Sequence, residues 1–325
     1  MLTSMSIEPL KYPDIVLPLF VLLSLGALAA TVAAAPARSQ RFAVSACSAW
    51  ERFWPLRRGG GIGFRALRLL YALGIFKPVP VRLKAGFLME LDARDYVTAH
   101  ILADSIYEPT ITSLTTGLLK EGAVFVDVGA NVGYYTLLAS VLVGAGGMVV
   151  AIEPNPDTVE RLRRNIRLNK FTNIFTVPVA ATETEQYLEF FEADVSNTGK
   201  SSLSSKNARS SKSAVVRGIP LDEIIQGHNI QRVDLVKIDV EGAELRVLQG
   251  MSAIMETFRP TIITELFPEL LANLGASVDQ VAECFRYKGY VLAQQIDANN
   301  YLWAPDPVRG AGIQRGLPSP TDEPR

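Results

Sequence analysis

The stretch Val124-Phe125-Val126-Asp127-Val128-Gly129-Ala130-Asn131-Val132-Gly133 decides how this chain is read. Val124 to Val128 is apolar apart from Asp127, which predicts a buried strand, and it runs directly into a glycine turn and a helical run from Tyr134. At the carboxyl end of such a strand an α/β sheet opens a crevice. Helix N–H groups and bare glycine backbone can approach a ligand closely there. Glu153 ends the next predicted strand, where such folds present a carboxylate to ribose hydroxyls. A nucleotide-like ligand is the first expectation.

The turn also narrows the ligand. A dinucleotide turn of the form GxGxxG needs a second glycine so that the backbone can touch a pyrophosphate, and Asn131 stands at that position. Asp127, two residues before the first glycine, would repel a pyrophosphate and could pair with an amine or a cation. These residues favour a ligand with a ribose and positive charge but no phosphate. A dinucleotide-dependent oxidoreductase and a purely structural strand-to-helix turn remain as alternatives at this level.

Outward from the turn, strands and helices alternate, the pattern of a parallel sheet with helices on its faces. The predicted strands are Val124 to Val128, Met148 to Glu153, Phe175 to Ala180, Val233 to Asp239 and Thr261 to Leu266. Asp157 to Asn169 reads as a helix with an apolar stripe of Val159, Leu162 and Ile166. Asn155-Pro156 supplies its cap and first-turn proline. Tyr290 to Gln294 and Tyr301 to Trp303 flank Asp297-Ala298-Asn299-Asn300 and predict a closing antiparallel hairpin. Pro78 to Leu91 predicts another hairpin around Gly86, and Asp95 to Lys120 reads as helix. Asp194 to Ser213, mostly Ser, Asn and Lys, reads as a long polar surface loop, a lid or an ordinary connection.

The chain of 325 residues, 48% hydrophobic and 20% charged, is long enough to bury a full core. With 32 basic and 33 acidic residues the formal net charge is -1, which gives no electrostatic support for binding nucleic acid. Cys47 and Cys284 lie in no metal-ligand or redox spacing and read as free thiols. No spacing of acidic residues demands a metal ion, and the sequence says nothing of oligomeric state. Ile15 to Ala35 is an uncharged, largely apolar run of about 21 residues, roughly 30 Å as a helix and long enough to span a bilayer. The leader carries Glu8, Lys11 and Asp14 rather than a basic region, and Pro36 follows the one plausible cleavage site, so a retained anchor is favoured over a signal peptide. Arg38, Arg41, Arg52, Arg57, Arg58, Arg65 and Arg68 follow it, which predicts that the rest of the chain lies on the cytoplasmic side of a membrane.

Val233 to Val240 reads as a buried strand that nevertheless carries Asp234, Lys237 and Asp239, with Glu241 and Glu244 behind it. Charges in a parallel strand are costly unless paired or at its end. Asp239 falls at the carboxyl end, facing the same crevice as Gly129. Asp239 and Glu241 are candidates for a general base, with Lys237 orienting one of them. The competing account makes Glu241 and Glu244 first-turn helix acids and Lys237 and Asp239 a structural pair. Glu265, ending the last parallel strand, points to the same crevice. His100 and His228 read as structural.

At these residues the chain resembles the class I methyltransferases that use S-adenosylmethionine (SAM), whose acidic-x-Gly-x-x-x-Gly turn cradles the methionine part of the cofactor. More narrowly it resembles the FkbM family. The resemblance spans about Ile101 to Trp303. It rests on Tyr107-Glu108-Pro109, the Phe125 to Gly133 stretch, Glu153-Pro154-Asn155-Pro156, Asn197-Thr198-Gly199 with Ser201-Ser202-Leu203, Leu221-Asp222-Glu223, and Lys237-Ile238-Asp239-Val240-Glu241-Gly242-Ala243-Glu244. It implies that Asp127, Gly129, Asn131 and Gly133 surround the methionine moiety, that Glu153 holds the ribose, and that Ala180 and Ala181 lie by the adenine. It also implies methyl transfer, most simply to a hydroxyl of a small-molecule or glycan acceptor. A membrane anchor adds the expectation of a lipid-linked or membrane-made acceptor. A non-catalytic scaffold that keeps the fold is the alternative from another class.

The expected architecture is therefore an α/β, Rossmann-like class I methyltransferase sheet with a terminal antiparallel hairpin, preceded by a transmembrane helix. Its divisions are an anchor at 1–40, a basic and aromatic juxtamembrane segment with the hairpin at 41–94, the methyltransferase domain at 95–305, and a disordered tail at 306–325.

Overall fold

The computed structural model describes residues 77–92, 94–193 and 198–310. A seven-stranded sheet carries the fold. Its first strands are β3 (Val124–Val128), β4 (Met148–Ile152) and β5 (Ile174–Val177), followed by β9 (Leu235–Ile238), β10 (Thr261–Glu265), β11 (Tyr290–Gln295) and β12 (Asn300–Pro305). Their order across the sheet is β11-β12-β10-β9-β3-β4-β5. Neighbours from β5 to β10 run parallel, and β12 enters antiparallel to both β10 and β11. This is the expected α/β sheet with its closing hairpin. The chain moves outward from β3 to β5 and then returns to β9 on the other side of β3. The switch point therefore lies between β3 and β9, where a crevice opens at the strand ends.

The strands are apolar because both faces are covered. Phe125, Val126, Val150, Val236, Ile238 and Ile262 are all fully buried. Of the two charges in the central strands, Asp127 stands beside Lys237 in register. Asp234 is not a strand residue at all: its carboxylate accepts the Val124 N–H at 2.8 Å and pairs with Arg232 at 2.6 Å, which closes the entry of β3. At the far edge Phe285 stacks on Trp303 with ring centroids 4.2 Å apart, a contact worth about 0.5–1.5 kcal/mol beyond its area. The Trp303 indole N–H donates to Thr264 Oγ1 at 3.0 Å.

β1 (Val79–Arg82) and β2 (Leu88–Leu91) form the expected hairpin, with Gly86 at φ +96° in its turn. The predicted helix over Asp95 to Lys120 is two helices, α1 (Tyr96–Asp104) and α2 (Pro109–Leu118). Ser105 and Glu108 between them have φ of +61° and +41°. Pro109 explains the break, since it excludes the residue before it from right-handed helix and removes a donor N–H. α3 (Tyr134–Val143) follows the glycine turn. α4 (Pro156–Asn169) begins as expected, with Asn155 Oδ1 accepting the N–H groups of Asp157 and Thr158 at 2.9 and 3.1 Å.

The predicted third strand divides. Its first part is β5, and Ala180–Ala181 is a separate strand, β6, in a second sheet of order β6-β8-β7 with β7 (Gln186–Phe191) and β8 (Ser213–Ile219). The polar stretch after β7 is not a free surface loop where it is described. Ser202 pairs main chain with Phe191 in both directions, α5 (Ser205–Ala208) follows, and Ser202, Ser204 and Asn207 are buried. α6 (Leu221–Gly227), α7 (Glu244–Gln249), α8 (Ser252–Thr257), α9 (Pro268–Ala272) and α10 (Val278–Tyr287) complete the layers. Asp222 caps α8 by accepting from Ala253 and Ile254.

Among the described residues two compact units interleave in sequence: 77–81, 90–92, 94 and 98–105 form the smaller, and 82–89, 95–97, 106–193 and 198–310 the larger. In the smaller, Thr98 Oγ1 donates to the Asp92 main-chain oxygen at 2.6 Å and Asp92 pairs with Arg94. In the larger, Pro307–Gly310 forms a short helix, α11, within the segment expected to be disordered. The remainder of that tail, the expected anchor at Ile15 to Ala35 and the basic aromatic segment behind it lie outside the described residues. Among the described residues no helix is long and apolar enough to cross a membrane.

Candidate active site

Two turns meet at the switch point. In the first, after β3, Gly129, Asn131 and Gly133 have φ of +84°, +48° and +98°. A Cβ on Gly129 would lie 1.8 Å from the Asp239 main-chain oxygen, and one on Gly133 would lie 2.4 Å from Leu162 Cδ1. The first glycine is needed because the loop after β9 touches its Cα, and the second because α4 packs on it.

Every main-chain N–H from Gly129 to Gly133 already has a protein acceptor. Gly129 and Ala130 donate to the Ile152 oxygen at 2.9 and 3.0 Å, and Gly133 to the Ala130 oxygen at 2.9 Å. Asn131 donates to Glu153 Oε2 at 3.0 Å and Val132 to Asn131 Oδ1 at 2.7 Å. A pyrophosphate is bound at such turns by free N–H groups, and these offer none. The dinucleotide alternative loses its physical basis here.

Carboxylates surround the turn. Asp127, 1% exposed, accepts from Thr136 Oγ1 at 2.6 Å. Burial pushes its carboxyl above the ordinary value, with Lys237 and Thr136 opposing. Glu153 takes the Asn131 N–H on one oxygen and the Asn155 N–H on the other, at 2.9 Å. Burial raises it to about 7 against those two bonds.

Lys237, 4% exposed, forms an ion pair with Asp239 at 2.8 Å and lies 4.7 Å from the Tyr135 ring centroid. Burial would lower its ammonium, but Asp239, Glu108 and Asp127 together hold it above the usual lysine value. Burial works to raise Asp239, yet Lys237 and a hydrogen bond from Glu265 keep it below the ordinary range. Glu265 moves up by burial and by the Asp239 charge, so the proton of this carboxyl pair resides on Glu265. Tyr135 donates to Glu108 Oε2 at 2.7 Å, and Tyr107, Tyr134 and Tyr135 meet edge to face.

The second turn, Val240 to Ala243, follows β9. Ala243 N–H donates to the Val240 oxygen at 3.4 Å, and both central residues have positive φ: Glu241 at +52° and Gly242 at +104°. Glu244 Oε1 accepts from Gly242 N–H at 3.1 Å and from Val240 N–H at 3.4 Å. Glu241 is partly buried. Burial, then the Asp239 and Glu244 charges, raise it to about 8, while Lys200 and Lys237 pull the other way.

The structure thus brings Asp127, Gly129, Lys237, Asp239 and Glu241 together, with Glu153 on the far side of the glycine turn. Ala180 and Ala181 are buried in β6. His228 Nδ1 lies 2.9 Å from the Ile224 oxygen at the end of α6, and its ring meets Phe175, a structural role. Glu108 and Tyr135 received no role from sequence reasoning; Pro109, which breaks the helix and delivers Glu108, was the available signal. Among the described residues no group of three acidic, histidine or cysteine side chains forms a metal site.

The chain is 28% identical over 144 residues to hexuronic acid methyltransferase AglP of Haloferax volcanii, covering 44% of this chain and 56% of that protein. It is thus matched over little more than half the length of that relative. It is 26% identical over 232 residues to methyltransferase sdnD of Sordaria araneosa, covering 59% of this chain and 89% of that one. Among solved structures, a methyltransferase FkbM from Methylobacillus flagellatus KT superposes with a TM-score of 0.38 at 17% identity, over 74% of this chain and 57% of that one. The methyltransferase FkbM domain matches residues 127–292. That match takes in about half of the chain, from the carboxylate before the glycine turn to the first strand of the closing hairpin, and the chain belongs to the FkbM family of class I methyltransferases, whose cofactor is S-adenosyl-L-methionine.

Proposed function

We propose that the protein transfers a methyl group from SAM to a hydroxyl oxygen of a small-molecule or glycan acceptor, with Glu241 as the proton acceptor. One observation carries the reading of the cofactor site: the glycine turn has no free N–H and is lined by carboxylates, which suits a cationic ligand without phosphate. Asp127, Gly129, Asn131 and Gly133 enclose the methionine moiety in this reading. Each Glu153 oxygen, having accepted one N–H, keeps a lone pair for a ribose hydroxyl. The segment at Ala180 and Ala181 borders the adenine. The hexuronic acid relative supports a sugar acceptor.

Held by Asp127, Gly129, Asn131, Gly133 and Glu153, SAM would supply an electrophilic methyl group to the acceptor oxygen. The acceptor must lose its proton, and of the carboxyl groups near the switch point Asp239 and Glu241 are the candidates to take it. Asp239 is a weak base, because its charge is already stabilised by Lys237 and Glu265. Glu241, raised to about 8, is matched to the task. Lys237 and Asp239 then act as a fixed ion pair that sets the local field. Since the base must be ionised, the rate rises with pH towards about 8 and levels above it.

Isothermal titration with SAM and with a pyridine dinucleotide tests the cofactor; binding of SAM alone is expected, and binding of neither would favour a scaffold. Incubating membranes and cell extract with radiolabelled SAM identifies the fraction that holds the acceptor. The apolar run Ile15 to Ala35 and the arginines behind it support anchoring in a membrane with the enzyme domain on the cytoplasmic side. Removing residues 1–40 should then lower transfer to membrane-borne acceptor. Equal transfer to a freely soluble acceptor by both forms would sink the anchored reading.

A further inference from the structure

Glu241 adopts a conformation that costs it energy. A turn whose two central residues both have positive φ favours Asn-Gly, because Asn and Gly enter the left-handed region at low cost. Here the first position is Glu at φ +52°, and nothing about the turn itself demands a glutamate. Residues held in sparsely populated regions persist only where the surroundings over-determine them. The surroundings of Glu241 do so through its main chain.

The Glu241 carbonyl oxygen accepts two side-chain donors, Ser202 Oγ at 2.8 Å and Asn207 Nδ2 at 2.9 Å. Both come from the polar segment between β7 and β8, 39 and 34 residues away in sequence. Asn207, 4% exposed, is fully committed: Nδ2 also donates to the Leu270 oxygen at 3.0 Å, and Oδ1 accepts from Asn273 Nδ2 at 2.7 Å. Ser202, 1% exposed, is fixed by its two main-chain bonds to Phe191. The contact is close enough to exclude a side chain at the next residue, since a Cβ on Gly242 would lie 2.4 Å from the Leu270 oxygen and 2.8 Å from Asn207 Nδ2. A buried amide that ties the Glu241 turn to α9 and its C-cap Asn273 is a rigid support and not a passive surface loop.

We propose that Ser202 and Asn207 are positioning residues that hold Glu241, by its carbonyl oxygen, in the left-handed conformation that presents its carboxyl beside Asp239. This rests on the assignment of Glu241 as proton acceptor. The groups facing the Glu241 carboxyl are Asp239, Glu244, Lys200 and Lys237. Freed from the clamp, Glu241 leaves that crowded, partly buried setting and titrates closer to an ordinary glutamate.

The test is a carbon-13 NMR titration of full-length protein labelled at glutamate Cδ, with Glu241→Gln identifying the resonance. In wild type the midpoint is expected near 8. The double variant Ser202→Ala/Asn207→Ala should lower it by at least one pH unit, with SAM binding within twofold of wild type. Ser202→Thr, which keeps the hydroxyl, should leave the midpoint in place. An unchanged midpoint in a folded double variant overturns the proposal. If the double variant does not fold, Ser202→Ala and Asn273→Ala carry the test, and no downward shift in either overturns it. Full methyl transfer by Glu241→Gln would instead overturn the proton-acceptor reading and leave the clamp standing.

Discussion

The two turns at the switch point do the same geometric job by different means. Gly129 to Gly133 is held by its neighbours: its N–H groups go to Ile152, Glu153, Asn131 and Ala130, all on the turn or on the strand beside it. Val240 to Ala243 is held partly by Glu244, but its strained residue depends on Ser202 and Asn207 from a distant insert. The first turn is a fixed part of the fold. The second depends on side chains from outside the seven-stranded sheet, so its conformation is set by contacts that the sheet itself does not supply.

The sharpest way to break this contrast is Gly129→Ala. A methyl group 1.8 Å from a main-chain oxygen, at φ +84°, leaves no relaxation except separation of β3 from β9. We expect a loss of about 3 kcal/mol or more in urea denaturation, together with loss of SAM binding. A stable variant that still binds SAM would show that the first turn is not a fixed part of the fold. Glu153→Gln comes next, since an amide cannot accept on both sides. The orphaned buried N–H should cost about 1–3 kcal/mol and weaken SAM binding in the same calorimetric titration.

The pH dependence of stability sharpens the comparison, because raised carboxyls lie on both turns. Glu153 and Glu244 titrate at about 7 and Glu241 at about 8 in the folded protein, all above the ordinary 4.5. A raised folded value means that the stabilisation is present below the unfolded value and is lost as pH rises through the folded one. The Tm of the cofactor-free protein should therefore fall by several degrees between pH 5 and pH 8, read by scanning fluorimetry. A Tm that rises over that range would refute the burial account. Asn155→Ala has the smallest expected effect, about 1 kcal/mol, because it removes a helix cap without touching either turn.

Sequence alone located the first turn, Glu153, the parallel strands and the closing hairpin, since each is encoded by adjacent residues: apolar runs, glycines and a cap. It failed where structure depends on partners far along the chain. The stretch from Asp194 to Ser213 looks like a solvated loop by composition, and nothing local reveals that Ser202 and Asn207 are buried against Glu241. The break that brings Glu108 to Tyr135 is intermediate. Pro109 announces it, but the helical pattern on either side conceals it. Lys237 and Asp239 were readable as a pair, whereas the hydrogen bond that Glu265 gives Asp239 was not, because it joins residues at the ends of two strands that only the folded sheet sets side by side.

The saturated glycine turn also bears on competition inside a cell. Adenosine triphosphate and oxidised and reduced nicotinamide dinucleotides are abundant and share an adenosine with SAM, so affinity for that common part cannot tell them apart. A glycine turn whose main-chain donors from Gly129 to Gly133 are already taken gives their phosphates no bond in return for the desolvation they would suffer, so in the proposed reading selectivity comes from what this turn does not offer.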